Sequence, residues 1–197
     1  MNKAVRDIFL TKKNSMYTTK KCRFLESKRL NTKNKISLLI RTSITISIIG
    51  ISLFLLSFGE NVEENTKKIY SCISLISSIT LLVLSFYDSS LNRQGKSEKF
   101  HKNATAISKI SSEYELALSE ENINIDDIKK IITKYENFID SSDLNHSSET
   151  YKIFVMYENK KCSTFIFSIW EYIISMIAYI LPAIIIYSFI AYDFFYN

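Results

Sequence analysis

The chain has 197 residues, 47% of them hydrophobic and 23% charged, with a formal net charge of +5. Three cysteines, two histidines and only three glycines leave no disulfide framework, no Cys/His metal spacing, no compact Ser/His/Asp triad and no glycine-rich phosphate loop. The chain is therefore read as a non-enzyme without a metal or cofactor, and its function is sought in how its apolar residues are distributed.

Residues 1–35 hold eleven lysines and arginines against Asp7 and Glu26. This segment is read as a basic cytoplasmic tail. A basic stretch abutting an apolar run sets membrane topology and touches anionic lipid, which is a simpler reading than nucleic-acid binding. It is also much longer than the basic region of a signal peptide, and no small-residue cleavage pattern follows the apolar run.

Residues 36–58 and 69–87 form two long apolar runs joined by a short polar turn containing Gly59, Glu60, Glu63 and Glu64. A bilayer core is crossed by about 20 apolar residues in a helix, whose backbone polar groups are satisfied internally, so residues 36–87 are predicted as a transmembrane helical hairpin. Arg41 interrupts the first run, but residues 42–58 alone would reach about 26 Å. Arg41 is therefore expected at a membrane boundary, its side chain reaching toward the headgroups.

Each span carries a stripe of small, weakly polar residues. Ser43, Ser47, Gly50, Phe54 and Ser57 on the first, and Ser71, Ser74, Ser78, Leu81 and Ser85 on the second, advance by helical steps of three or four. Such stripes pack helices closely, with serines bonding back to their own backbone, or they line a lumen once several chains assemble. Both readings stay open, and the absence of an ionisable group from either stripe favours packing.

Residues 88–162 are read as a cytoplasmic helical region. Phe100, Ala104, Ile107, Ser111, Tyr114 and Leu118 advance in alternating steps of four and three, a heptad-like seam, with Gly95 as the expected weak point in the connection from the membrane. A second amphipathic helix is predicted to start at Asn124 as N-cap, with Asp127 at its third position. It presents Ile128, Ile131, Ile132, Tyr135, Phe138 and Ile139 on one face. The pair packs seam to seam, or part of that face is an assembly seam.

Residues 163–197 are predicted as a C-terminal membrane helix. The apolar run 164–192 would reach about 43 Å as one helix, too long for the hydrocarbon core, so Glu171 is placed at the membrane boundary with Pro182 falling within the span. An aromatic belt follows at Tyr187, Tyr192, Phe194, Phe195 and Tyr196. Three spans and the basic N-terminus predict an inner or plasma membrane protein with residues 1–35 and 88–162 inside and the C-terminus outside. The fold class is thus an all-α membrane protein: a transmembrane hairpin, a cytoplasmic amphipathic helix pair and a third transmembrane helix.

The basic N-terminus, the tight hairpin and the stretch Glu98-Lys99-Phe100-His101-Lys102-Asn103-Ala104-Thr105-Ala106-Ile107 together resemble the SLATT domain over about residues 20–197. The stretch Tyr135-Glu136-Asn137-Phe138-Ile139, followed by Asn145-His146-Ser147 and Tyr151, is similar to the segment that closes the helical region in that family, although Glu149-Thr150 stands where an aspartate is expected before the tyrosine. The extra C-terminal span points to family 5, encoded beside reverse transcriptases. The resemblance implies a pore-forming or membrane-disrupting effector of an anti-phage conflict system that kills or arrests the cell. It also implies a homo-oligomer in the bilayer, triggered through a reverse transcriptase or nucleotide-signalling partner. A non-pore membrane adaptor tethering another protein is the alternative.

Overall fold

The computed structural model describes residues 3–120, 124–145 and 147–159, and five further positions in helical conformation, Trp170, Ile173, Ile177, Ile184 and Ser188. Every regular element among them is helical: α1 Lys3–Phe58, a 3₁₀ turn Gly59–Asn61, α2 Glu64–Leu91, α3 Arg93–Ser119, α4 Ile125–Asp140 and α5 Ser148–Glu158. The predicted third span, with Glu171 and Pro182, falls almost wholly outside the described residues.

The chain divides into two compact units. A polar unit comprises Met1–Asn31 and Gln94–Phe167, and an apolar unit comprises Thr32–Arg93 and Ser168–Asn197. Most of the first 35 residues belong to the polar unit, and from Lys3 they are continuous with the first apolar run as one 56-residue helix. The cause is a seven-residue repeat hidden among the charges. Phe9, Met16, Arg23, Ser37, Ile44 and Ile51 are all buried and Leu30 is half-buried, each seven residues after the last. A seven-residue repeat keeps one helix face turned to its neighbours along its whole length.

In the polar unit that face meets α3 and α4. The core is Phe9, Met16, Ile107, Ile110, Tyr114, Ile128 and Tyr135. Burying each large side chain of this kind contributes about 1.5–3 kcal/mol. The two buried tyrosines find partners: Tyr114 donates to the Phe9 carbonyl at 3.0 Å and Tyr135 donates to Thr19 Oγ1 at 3.1 Å. The α1 and α3 backbones approach closely at two serines. Ser27 Oγ donates to the Ser97 carbonyl at 2.9 Å, and Ser97 Oγ donates to the Ser27 carbonyl at 2.8 Å. α4 begins as its sequence dictates, with the Asn124 side chain accepting from the Asp126 N–H at 3.1 Å and donating to Asp127 at 2.8 Å.

In the apolar unit α1 and α2 pack through Ile44 and Leu84, flanked by Ile36, Ile40, Ile48, Ile73 and Leu81. Most of the remaining apolar surface faces outward. Only 11% and 17% of the most apolar windows of the two helical stretches Val5–Phe58 and Glu64–Ser119 are buried. A soluble core helix buries most of such a window, whereas a membrane helix leaves it to lipid.

Candidate functional site: a charge cluster in the hairpin

The buried face of α2 advances through Ser77, Leu81, Leu84 and Asp88 in steps of four, three and four. That phase carries Asp88 into the interior directly after the last residue of the apolar run, where it is buried. Both carboxylate oxygens are engaged. Arg41 Nη2 donates to Oδ2 at 2.7 Å, Ser37 Oγ donates to Oδ2 at 3.0 Å, and Arg93 Nη1 donates to Oδ1 at 2.8 Å.

The cluster therefore holds two guanidinium groups on one carboxylate. Arg41 has a carboxylate for partner, rather than depending on headgroups alone. Removing one partner of a buried ion pair costs about 3–5 kcal/mol, because the remaining charge keeps its desolvation penalty without its attraction.

Asn92 lies between Asp88 and Arg93 and is the cluster's joint. It adopts the left-handed conformation, φ 43° and ψ 47°, caps α2, and donates its N–H to the Ser89 carbonyl at 3.3 Å. Buried positions step from Asp88 to Arg93 by five residues, in place of three or four, and then resume through Ser97, Phe100, Ala104, Ile107, Ser111 and Tyr114. One extra residue must be absorbed there, and Asn tolerates the left-handed region better than other residues with a Cβ. The break expected at Gly95 thus falls three residues earlier, and Gly95 lies inside α3.

The serine stripes lie partly off the Ile44/Leu84 seam, with Leu81 of the second stripe packed against it. Ser43, Gly50, Ser57, Ser71 and Ser78 are exposed, while Ser47, Ser74 and Ser85 are half-buried. Their hydroxyls bond along their own helices: Ser47 donates to the Ser43 carbonyl at 3.0 Å, Ser78 to Ser74 at 2.8 Å and Ser85 to Leu81 at 2.7 Å. Such bonds let serine sit in a helix facing lipid or a second helix without an unsatisfied donor.

The α4 face is filled within one chain. Ile128 and Tyr135 are core residues, and Ile131, Ile132, Phe138 and Ile139 pack against that core. Two arginines of α1 also fix the α4–α5 connection. Arg29 donates to Glu26 at 3.1 Å and to Ser147 at 3.2 Å, and Ser147, the α5 N-cap, donates to Glu26 at 3.1 Å. Thr150 is fully buried and bonded to both Arg29 and Glu26. Arg23 donates to the Leu144 carbonyl at 2.9 Å and to Asn103 Oδ1. No group of His, Cys, Asp and Glu able to hold a metal occurs among the described residues.

Asp88 was missed in the sequence because an acid ending an apolar run reads as a membrane boundary. The signal that could have found it is phase: it falls on the same face as Ser77 and Leu84.

No curated protein and no solved structure matches the chain. The family model described as "SMODS and SLOG-associating 2TM effector domain family 5" matches residues 9–195. With two helices long and apolar enough to cross a bilayer, and a match over nearly its whole length, the chain is a membrane protein belonging to SLATT family 5.

Proposed function

We propose that this chain is a pore-forming effector of an anti-phage conflict system, assembling as a homo-oligomer in the inner or plasma membrane and arresting or killing the cell when its polar unit receives a signal. The observation that carries this reading is the exposure of Ser43, Gly50, Ser57, Ser71 and Ser78 on the two stripes. A hairpin that exposes part of a small, weakly polar stripe on each helix has a face suited to a second copy of itself, and a ring of such faces encloses hydroxyls.

Family membership supports the effector role, since SLATT domains accompany conflict systems. A reverse transcriptase or a nucleotide-signalling protein is the trigger in this reading. The Arg41–Asp88–Arg93 cluster is the closed-state lock: a buried ion cluster beside the apolar run holds the hairpin in one arrangement until it is opened.

The test is dye and ion release from liposomes of bacterial lipids containing the purified full chain. Release that rises with protein density more steeply than linearly supports an assembled pore. Intact vesicles under conditions where the chain is toxic in cells overturn the pore and favour the adaptor.

A further inference from the structure

Arg23 is a buried cation held by neutral oxygens. It is 3% exposed, and its hydrogen-bond acceptors among the described residues are Asn103 Oδ1 and the Leu144 carbonyl. Arg29, six residues on, has Glu26 at 3.1 Å, and Arg93 has Asp88 at 2.8 Å. Burial lowers the Arg23 guanidinium pKa from its ordinary value, but a guanidinium titrates so far above neutral that it stays charged.

Its guanidinium begins a hydrogen-bond chain that ends at a groove. Arg23 donates to Asn103 Oδ1, and Asn103 Nδ2 donates to Ser142 Oγ at 3.0 Å. Ser142 Oγ also accepts the Leu144 N–H at 3.3 Å. With both lone pairs occupied, the Ser142 hydroxyl proton has no acceptor among the described residues and is left to donate outward. Successive donors polarise one another, so a hydroxyl at the end of a chain that starts on a guanidinium is a strengthened donor.

Ser142 lines a groove of about 440 Å³ between α3 and the α4–α5 connection, within the size range of small-molecule sites. Lys99, Lys102 and Asn103 line its α3 side, on one helix face, and Ser142, Asp143 and Leu144 line the other. Among the described residues neither lysine has a carboxylate partner. Some lysines elsewhere on the same unit do: at a second groove Lys129 pairs with Asp126 at 3.4 Å, Lys130 with Asp127 at 3.0 Å and Lys134 with Glu113 at 2.7 Å. Against these cationic groups the first groove sets a single acid, the exposed Asp143.

From the chain Arg23–Asn103–Ser142 and the two unpaired lysines facing it, we propose that this groove binds a phosphate group, with Ser142 donating to a phosphate oxygen and Lys99 and Lys102 supplying the countercharge. This stands independently of the pore reading, because it concerns only the polar unit. The phosphate belongs either to a soluble phosphorylated molecule or to a lipid headgroup.

The test titrates inorganic pyrophosphate into the full chain in phosphatidylcholine nanodiscs, read by calorimetry. Saturable binding is expected, weakened at least about tenfold by Lys99→Gln with Lys102→Gln and about threefold or more by Ser142→Ala. Lys129→Gln with Lys130→Gln should leave it unchanged. These positions are exposed or half-buried, and a melting temperature equal to wild type checks that each variant folds. In nanodiscs doped with phosphatidic acid, lost pyrophosphate binding assigns the site to a lipid headgroup and undiminished binding assigns it to a soluble molecule; either supports the site. Absence of binding in the wild type, or equal weakening by the Lys129/Lys130 pair, overturns it.

Discussion

Arg41 Nη2 lies 2.7 Å from Asp88 Oδ2, and this pair reconciles an arginine with an apolar helical run. Asp88 is shared with Arg93, so its replacement leaves two cations without their carboxylate. Asp88→Asn should destabilise the hairpin by about 3–5 kcal/mol, measured by denaturant unfolding in micelles. The double change Arg41→Met with Asp88→Leu should recover much of that loss, because removing both charges also removes their desolvation cost. Equal losses for the single and double variants would show that the two residues act independently.

Asn92 carries positive φ beside this cluster, which makes its side chain the variable to change. Asn92→Gly should be neutral or slightly stabilising, since glycine adopts the left-handed region freely. Asn92→Val should cost about 1–2 kcal/mol, because a β-branched side chain there meets the following carbonyl. Thermal melts of the full chain in detergent compare the two. A valine variant as stable as wild type would mean the joint is not left-handed.

The hairpin was legible because residues 36–58 and 69–87 are apolar runs long enough to cross a bilayer, and α4 was legible because Asn124 caps it and Ile128, Ile131, Ile132 and Tyr135 share a face. The first half of α1 was not. Its buried stripe includes Arg23, and a charged residue at a core position breaks the apolar pattern that periodicity depends on. Asn92 was missed for a related reason. Glycine's permissiveness drew the break to Gly95, whereas the five-residue step from Asp88 to Arg93 sets where the extra residue falls. The serine stripes were visible as spacing, but spacing alone does not say which neighbour they face.

Cys22 tests the burial of α1 directly. It is fully buried, and burial, with Glu26 nearby, pushes its thiol pKa up to about 11. At pH 8 only about one thiol in a thousand is then ionised, so N-ethylmaleimide should label Cys22 about a hundredfold more slowly than an ordinary exposed thiol. In a variant with Cys72→Ser and Cys162→Ser, labelling should accelerate about tenfold per pH unit between pH 8 and 10, as the thiolate population grows. Denaturant should abolish the protection. Fast labelling of the folded chain would mean that residues 3–31 do not pack as α1 of the polar unit.

The stripes can be assigned to lumen or lipid by the same chemistry. In a chain lacking Cys22, Cys72 and Cys162, Ser47→Cys and Ser78→Cys place thiols on the two stripes, and Ile49→Cys and Ile76→Cys place them on exposed apolar faces of the same helices. A thiolate is scarce in hydrocarbon and populated in water, and a membrane-impermeant reagent reaches only wetted positions. In the activated state the stripe cysteines should therefore react at least about tenfold faster than the two controls. Before activation all four should be protected, because hydroxyls bonded to their own helix need no water. Protection at all four positions while the chain is measurably toxic would reject a hydroxyl-lined lumen. The serines would then be helix-packing residues, and toxicity would have to arise elsewhere in the chain.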